Sequence, residues 1–182
     1  MGKNKSLTRK DLLGFYANGI EEDRGNQPRS GSMEFHYTEK LLHNYVNPNS
    51  KVIELGCATG YYAMRFADLC AEYVSVDVVP EHIAVFRQKI NQSQKHNIQA
   101  LVGDATDLSE IPSSSFDVVL CLGPMYHLPP KQREAVMKEC YRIGRTQAVF
   151  AFAYINRLGV YAGACVHDQL RDKYPNPRAN RY

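Results

Sequence analysis

No apolar run in this 182-residue sequence approaches the length that a membrane span requires. The first residues also lack the apolar core of a secretory leader. These absences lead us to expect a soluble protein with no membrane partner. The five cysteines are odd in number and irregularly spaced, with no Cys-x-x-Cys pair. Neither a disulfide framework nor a metal site follows from them, and reduced thiols in a cytoplasm fit best. A net charge of +3 is too small to argue for nucleic acid. Lys3, Lys5, Arg9 and Lys10 read as a solvated tail. There is no internal repeat, no low-complexity block and no Gly-Lys-Ser/Thr, which excludes a P-loop.

What is present is an alternation. The chain is long enough for one domain with a full core. Helices are expected over Thr8–Asn18, with Thr8 as cap, and over Met33–Val46 on apolar spacing. The polar stretch between them reads as a loop. Strands are then expected at Lys51–Leu55, Tyr73–Asp77, Ile98–Val102, Phe116–Leu122 and Gln147–Ala153. Helices over Tyr61–Cys70, Glu81–Lys95 and Lys131–Ile143 separate them, with a short turn near Thr106–Ile111. Strands joined through helices imply crossovers, hence an α/β, doubly wound, mainly parallel sheet. In organisation, residues 1–50 would cover a site, 51–153 would form the α/β core, and 154–182 would be a partial cap and tail.

The first strand, "VIEL", breaks into "GCATG". Small residues between a strand and a helix let a ligand approach the main chain. Gly56 and Gly60 bracket Ala58, and Tyr61 stands where the third glycine of a dinucleotide fingerprint would be. That spacing argues against NAD. Glu54 is an acid inside a strand, costly there unless it has a use. Asp77 ends the second strand, and Asp104, in "VGDATDL", ends the third.

The loop resembles motif I of the class I S-adenosylmethionine-dependent methyltransferases, and the later strand ends support the likeness in order. It covers roughly Tyr16 to His167, and "GPMYHL" after the fourth strand resembles a bacterial subgroup. The resemblance implies a Rossmann-like fold that binds S-adenosylmethionine and releases S-adenosylhomocysteine. By the same likeness, Glu54, Gly56, Cys57, Ala58 and Gly60 lie under the cofactor, and Asp77 with Val78 takes the ribose. Asp104 and the Ala105 N–H would take the adenine, and the main chain near Cys121 would face the methionine end. Tyr16 and Arg24 would close over it, with Arg24 near the carboxylate. Ala58 departs from the family glycine, which matters if that position needs a positive φ.

The loop after the fourth strand limits the acceptor. Gly123 lacks the acid or amide that amino-directed DNA methyltransferases carry there, and a Pro-Cys nucleophile is missing. A small-molecule acceptor presenting O, N or S is expected, with no nucleic acid. His127 is the candidate general base, packing or local capping being the other use for it, and Tyr126 is a second catalytic candidate. Tyr161 and His167 hint at acceptor binding, while His36, His43, His82 and His96 fall on helices or their ends. After Ala153 no pair of β-rich runs supplies the hairpin that usually ends this family. A shortened C-terminus or a homodimer through the open strand edge is therefore expected. The alternatives to an active enzyme are a noncatalytic cofactor-binding protein on this fold and an NAD-dependent oxidoreductase.

Overall fold

Val52, Ile53 and Leu55 are fully buried, which a strand achieves only with both faces covered. This strand, β1 (Lys51–Leu55), lies at the centre of a five-stranded sheet in a computed structural model that describes residues 30–166. The helix expected over Thr8–Asn18 lies outside the described residues. The other strands of the sheet are β2 (Glu72–Asp77), β3 (Ile98–Val102), β4 (Phe116–Cys121) and β5 (Gly144–Phe152). The order is β3-β2-β1-β4-β5 and every pairing is parallel. The doubly wound α/β class expected from the alternation is the fold found.

Two-residue periodicity sorts the core. Val52, Tyr73, Val118 and Leu120 face one side. They pack under α1 (Ser30–Leu42), α2 (Tyr61–Phe66) and α3 (Pro80–Gln92), through Phe35, Leu42, Tyr62, Phe66 and Phe86. Ile53, Leu55, Val74, Val119 and Cys121 face the other side, against Val136, Cys140 and Ile143 of α4 (Pro130–Ile143). Leu108 and Ile111, from the β3–β4 connection, complete that layer. The connection is pinned by Arg142, whose guanidinium donates to the carbonyls of Leu108 and Ile111 at 2.7 and 2.8 Å.

Several boundaries differ from expectation, three of them with a visible physical cause. Helix α1 ends at Leu42 rather than Val46, and Asn44 Nδ2 then donates to the Lys40 and Leu41 carbonyls, closing the last turn. The helix expected to Cys70 stops at Phe66 and tightens into a 3-10 turn, Ala67–Leu69. Strand β5 starts at Gly144, because the ladder jumps from Phe116↔Gly144 to Val118↔Val149. The extra residues bulge, with Gln147 at φ 69°, and Arg145 turns to the Asp117 carboxylate at 2.8 Å.

The chain divides into two units, one through Phe152 and one from Ala153. In the second, α5 (Arg157–Val166) is started by Asn156, whose Oδ1 accepts the Leu158 N–H at 2.9 Å. No helix of the described residues is long and apolar enough to cross a membrane.

Candidate functional site

The sheet order reverses direction at β1, leaving a crevice between the C-terminal ends of β1 and β4, where such folds bind ligands. The loop after β1 is shaped by its protein neighbours. Gly56 sits at φ +74°, and a Cβ there would meet the Pro124 ring at 2.6 Å. Gly60 sits at φ +82°, and a Cβ would meet the Phe86 ring at 2.1 Å. Each glycine is thus required twice, by backbone angle and by contact. Between them Ala58 is held at φ 46°, a left-handed conformation that costs a non-glycine residue roughly 1–2 kcal/mol.

Hydrogen bonds stitch the loop to the end of β2. The Gly56 and Cys57 N–H groups donate to the Val76 carbonyl at 2.8 and 3.2 Å. The Ala58 N–H donates to Asp77 Oδ2 at 2.8 Å, and the Val79 N–H to Asp77 Oδ1 at 2.9 Å. His82 Nδ1 approaches the same Oδ1 at 3.4 Å. Asp77 is therefore the anchor of the strained loop, and its Oδ2, which accepts the Ala58 N–H, has capacity for a second hydrogen bond.

A cavity of about 280 Å³ opens above this loop. Glu54, the loop from Gly56 to Gly60, Tyr62, Gly123 and Tyr126 line it, with Glu34 and Phe35 contributed by α1. Glu54 is only 3% exposed, and Tyr73 donates to its Oε2 at 2.9 Å. Burial pushes the Glu54 carboxyl up to about 8, the Tyr73 hydrogen bond pulls it down, and the Asp77 charge raises it again. Burial likewise drives the Cys57 thiol well above its ordinary value, so it is no nucleophile near neutrality. Two cations also line the cavity, and both are engaged. Arg65 pairs with Glu39 at 2.6 Å and covers the Tyr61 ring, while Lys89 donates to the Thr59 carbonyl at 3.3 Å.

Of the residues singled out from sequence, Glu54, Gly56, Cys57, Ala58, Gly60 and Tyr126 come together around the cavity. Asp77 is not among the cavity-lining residues; it anchors the loop from the end of β2, with half-buried Val78 next in sequence. Asp104 follows β3 by two residues; its Oδ1 accepts from the Thr106 N–H at 2.9 Å and hydroxyl at 2.8 Å, and Ala105 lies within that turn. Strand alternation turns the Cys121 thiol to the opposite face, against Cys140, so only its main chain is left for a ligand, the role expected of it. His127 does not line the cavity. It packs on the Tyr126 ring with centroids 4.3 Å apart. Tyr16, Arg24 and His167 lie outside the described residues, and Tyr161 is exposed on α5.

Sequence reasoning missed four contributors. Tyr73 opens the expected second strand, Phe86 falls inside the expected Glu81–Lys95 helix and Pro124 in the loop after the fourth strand, and none of the three was singled out. His82, taken as one of several helix-end histidines, is 6% exposed beside Asp77. Its one signal was its place in the turn that follows an acidic strand end. Among the described residues, no group of three or more His, Cys, Asp or Glu side chains is placed to hold a metal ion.

Comparison with known proteins agrees with this geometry. A family of methyltransferase domains matches residues 52–147, more than half of the chain. An uncharacterized methyltransferase of Schizosaccharomyces pombe is 31% identical over 108 residues, 58% of this chain and 40% of that protein. A ubiquinone biosynthesis O-methyltransferase of Acinetobacter baumannii is 27% identical over 107 residues, 59% of this chain and 44% of that one. The chain thus spans less than half the length of these two curated relatives. The solved complex of DhpI with SAM and HEP superposes with a TM-score of 0.67 at 20% identity, covering 96% of this chain and 76% of that one.

Proposed function

Since the chain belongs to this methyltransferase-domain family, we propose that it binds S-adenosylmethionine over the Gly56–Gly60 loop and transfers the methyl group to a small-molecule O, N or S acceptor. The observation that carries the reading is the cavity above β1 and β4, with the buried acid Glu54 and a bare backbone loop in its wall. The donor set fits this cofactor. Glu54 suits an ammonium group, the uncluttered loop admits close approach, and the Asp77 carboxylate at the end of β2 suits ribose hydroxyls. In the same reading Asp104 and Ala105 take the adenine, and Val78 and the Cys121 main chain border the ligand. Tyr16 and Arg24, from the residues before α1, cover the methionine end.

When bound, the cofactor supplies a methyl group already activated on a sulfonium. The protein's task is then to hold an acceptor in line with it and to exclude water. Tyr126 walls the cavity, and His127, packed on its ring, is the proposed base for an acceptor that must lose a proton, which it would have to reach by moving toward the cavity. Gly123 offers no side chain to an exocyclic amine and the net charge of +3 is small, both of which favour a small molecule over nucleic acid. The reading needs no metal and places the protein in the cytoplasm. Outside β5 no further strand pairs among the described residues, and we read that edge as a pairing site for a second copy.

The test is transfer of labelled methyl from S-adenosylmethionine to a panel of small phenols, amines and thiols. Labelled product that disappears with Gly60→Ala supports the enzyme. Cofactor retention with no transfer to any acceptor would instead favour a noncatalytic binding protein.

A further inference from the structure

Beneath the loop, three polar side chains interrupt the apolar face of the sheet: Glu54, Tyr73 and Ser75, none more than 3% exposed. Tyr73 stands in register with Val52, and Ser75 with Glu54. The Tyr73 ring therefore runs along the sheet, one pair toward the strand ends, to bring its hydroxyl within 2.9 Å of Glu54 Oε2. Phenylalanine would fill the same core volume. A buried hydroxyl is costly unless bonded, so the hydroxyl's contribution is the bond to Glu54.

We propose that Tyr73 is a positioning residue for cofactor binding: its hydroxyl aims the Glu54 carboxyl into the cavity to receive the ammonium group of the ligand. The proposal rests on the cofactor reading above. Among the described residues, the groups that act on Glu54 supply no positive charge: Tyr73 and Asp77 come from β2, Cys57 from the loop and Tyr62 from α2, with Glu34 of α1 in the same cavity wall. Arg65 is taken up by Glu39 and Tyr61, and Lys89 by the Thr59 carbonyl. Without ligand Glu54 is held as the neutral acid at pH 7 by burial. When a cation enters, the carboxyl proton leaves to solvent and the carboxylate keeps the Tyr73 O–H bond, now charge-assisted. Tyr73 thus lowers the cost of ionising Glu54 at the moment of binding.

The test compares wild type and Tyr73→Phe by calorimetric titration from about pH 6 to pH 8. One ligand is S-adenosylhomocysteine, which carries the ammonium group. The other is 5′-methylthioadenosine, which lacks it. The variant should bind S-adenosylhomocysteine roughly tenfold more weakly at neutral pH. It should also release more protons per ligand bound at the alkaline end, and it should hold 5′-methylthioadenosine as tightly as wild type does. Equal weakening of both ligands would mark a structural role only and overturn the proposal, as would unchanged binding of S-adenosylhomocysteine. Glu54→Gln, titrated separately, should lose the pH dependence of S-adenosylhomocysteine binding, and its persistence would also overturn the proposal. Failure of wild type to bind either ligand would refute the underlying cofactor reading itself.

Discussion

Ala58 and Glu54 each sit where a single side chain sets an energetic tension in the site. Ala58 is left-handed at φ 46° and is held there by Asp77. Ala58→Gly should relieve the strain and raise stability by about 0.5–1 kcal/mol, less than the full strain because glycine also loosens the unfolded chain. A higher urea midpoint at unchanged slope is the expected result, and a lower one would show that the angle is not strained. Gly60→Ala acts in the opposite sense, combining φ +82° with a clash on the Phe86 ring. We expect a loss of roughly 1–3 kcal/mol. Glu54 makes stability depend on pH. Its folded-state value, about 8, lies above the ordinary 4.5, so the folded protein holds the proton more tightly than the unfolded chain. The contribution is complete below the unfolded value, declines as pH rises, and is gone above about 8. The slope cannot exceed about 1.4 kcal/mol per pH unit. Chemical denaturation of wild type and Glu54→Gln across this window should show the decline in the first and its removal in the second.

At the scale of elements, the β3–β4 connection is held by a single side chain, Arg142. Arg142 donates to Leu108 and Ile111 carbonyls and to Glu139, which itself accepts the Leu108 N–H at 2.9 Å. Arg142→Ala should cost about 2 kcal/mol, and Arg142→Lys should recover only part of it, because an ammonium lacks the fork that reaches both carbonyls. Thermal melts of the two variants decide this. Elements of this kind show what a sequence can reveal. Strands β1, β2 and β3 were legible because apolar runs bounded by turns have no other stable use here. The bulge in β5 was not, since an unpaired residue leaves no periodic trace. The glycines of the loop were legible as a bare backbone, but their partners Pro124 and Phe86 were not, because contacts across the sheet are invisible in a local pattern. Tyr73 was hidden for the same reason. Its ring satisfies the core, and only its hydroxyl reports on Glu54.

On the scale of the whole molecule, the parallel order β3-β2-β1-β4-β5 places one crevice where loops from β1 and β4 meet. A second copy pairing along β5 would double the 20.6 kDa mass in light scattering, whereas a clean monomer at all concentrations would remove that reading. The central claim is that the crevice is a cofactor site anchored through Asp77. Calorimetric titration of S-adenosylhomocysteine into wild type and Asp77→Ala, with NADH as comparator, tests it most directly. We predict saturable binding of S-adenosylhomocysteine by wild type, loss or strong weakening in the variant, and no heat from NADH. Binding of NADH, or indifference of a folded protein to S-adenosylhomocysteine, would contradict the account.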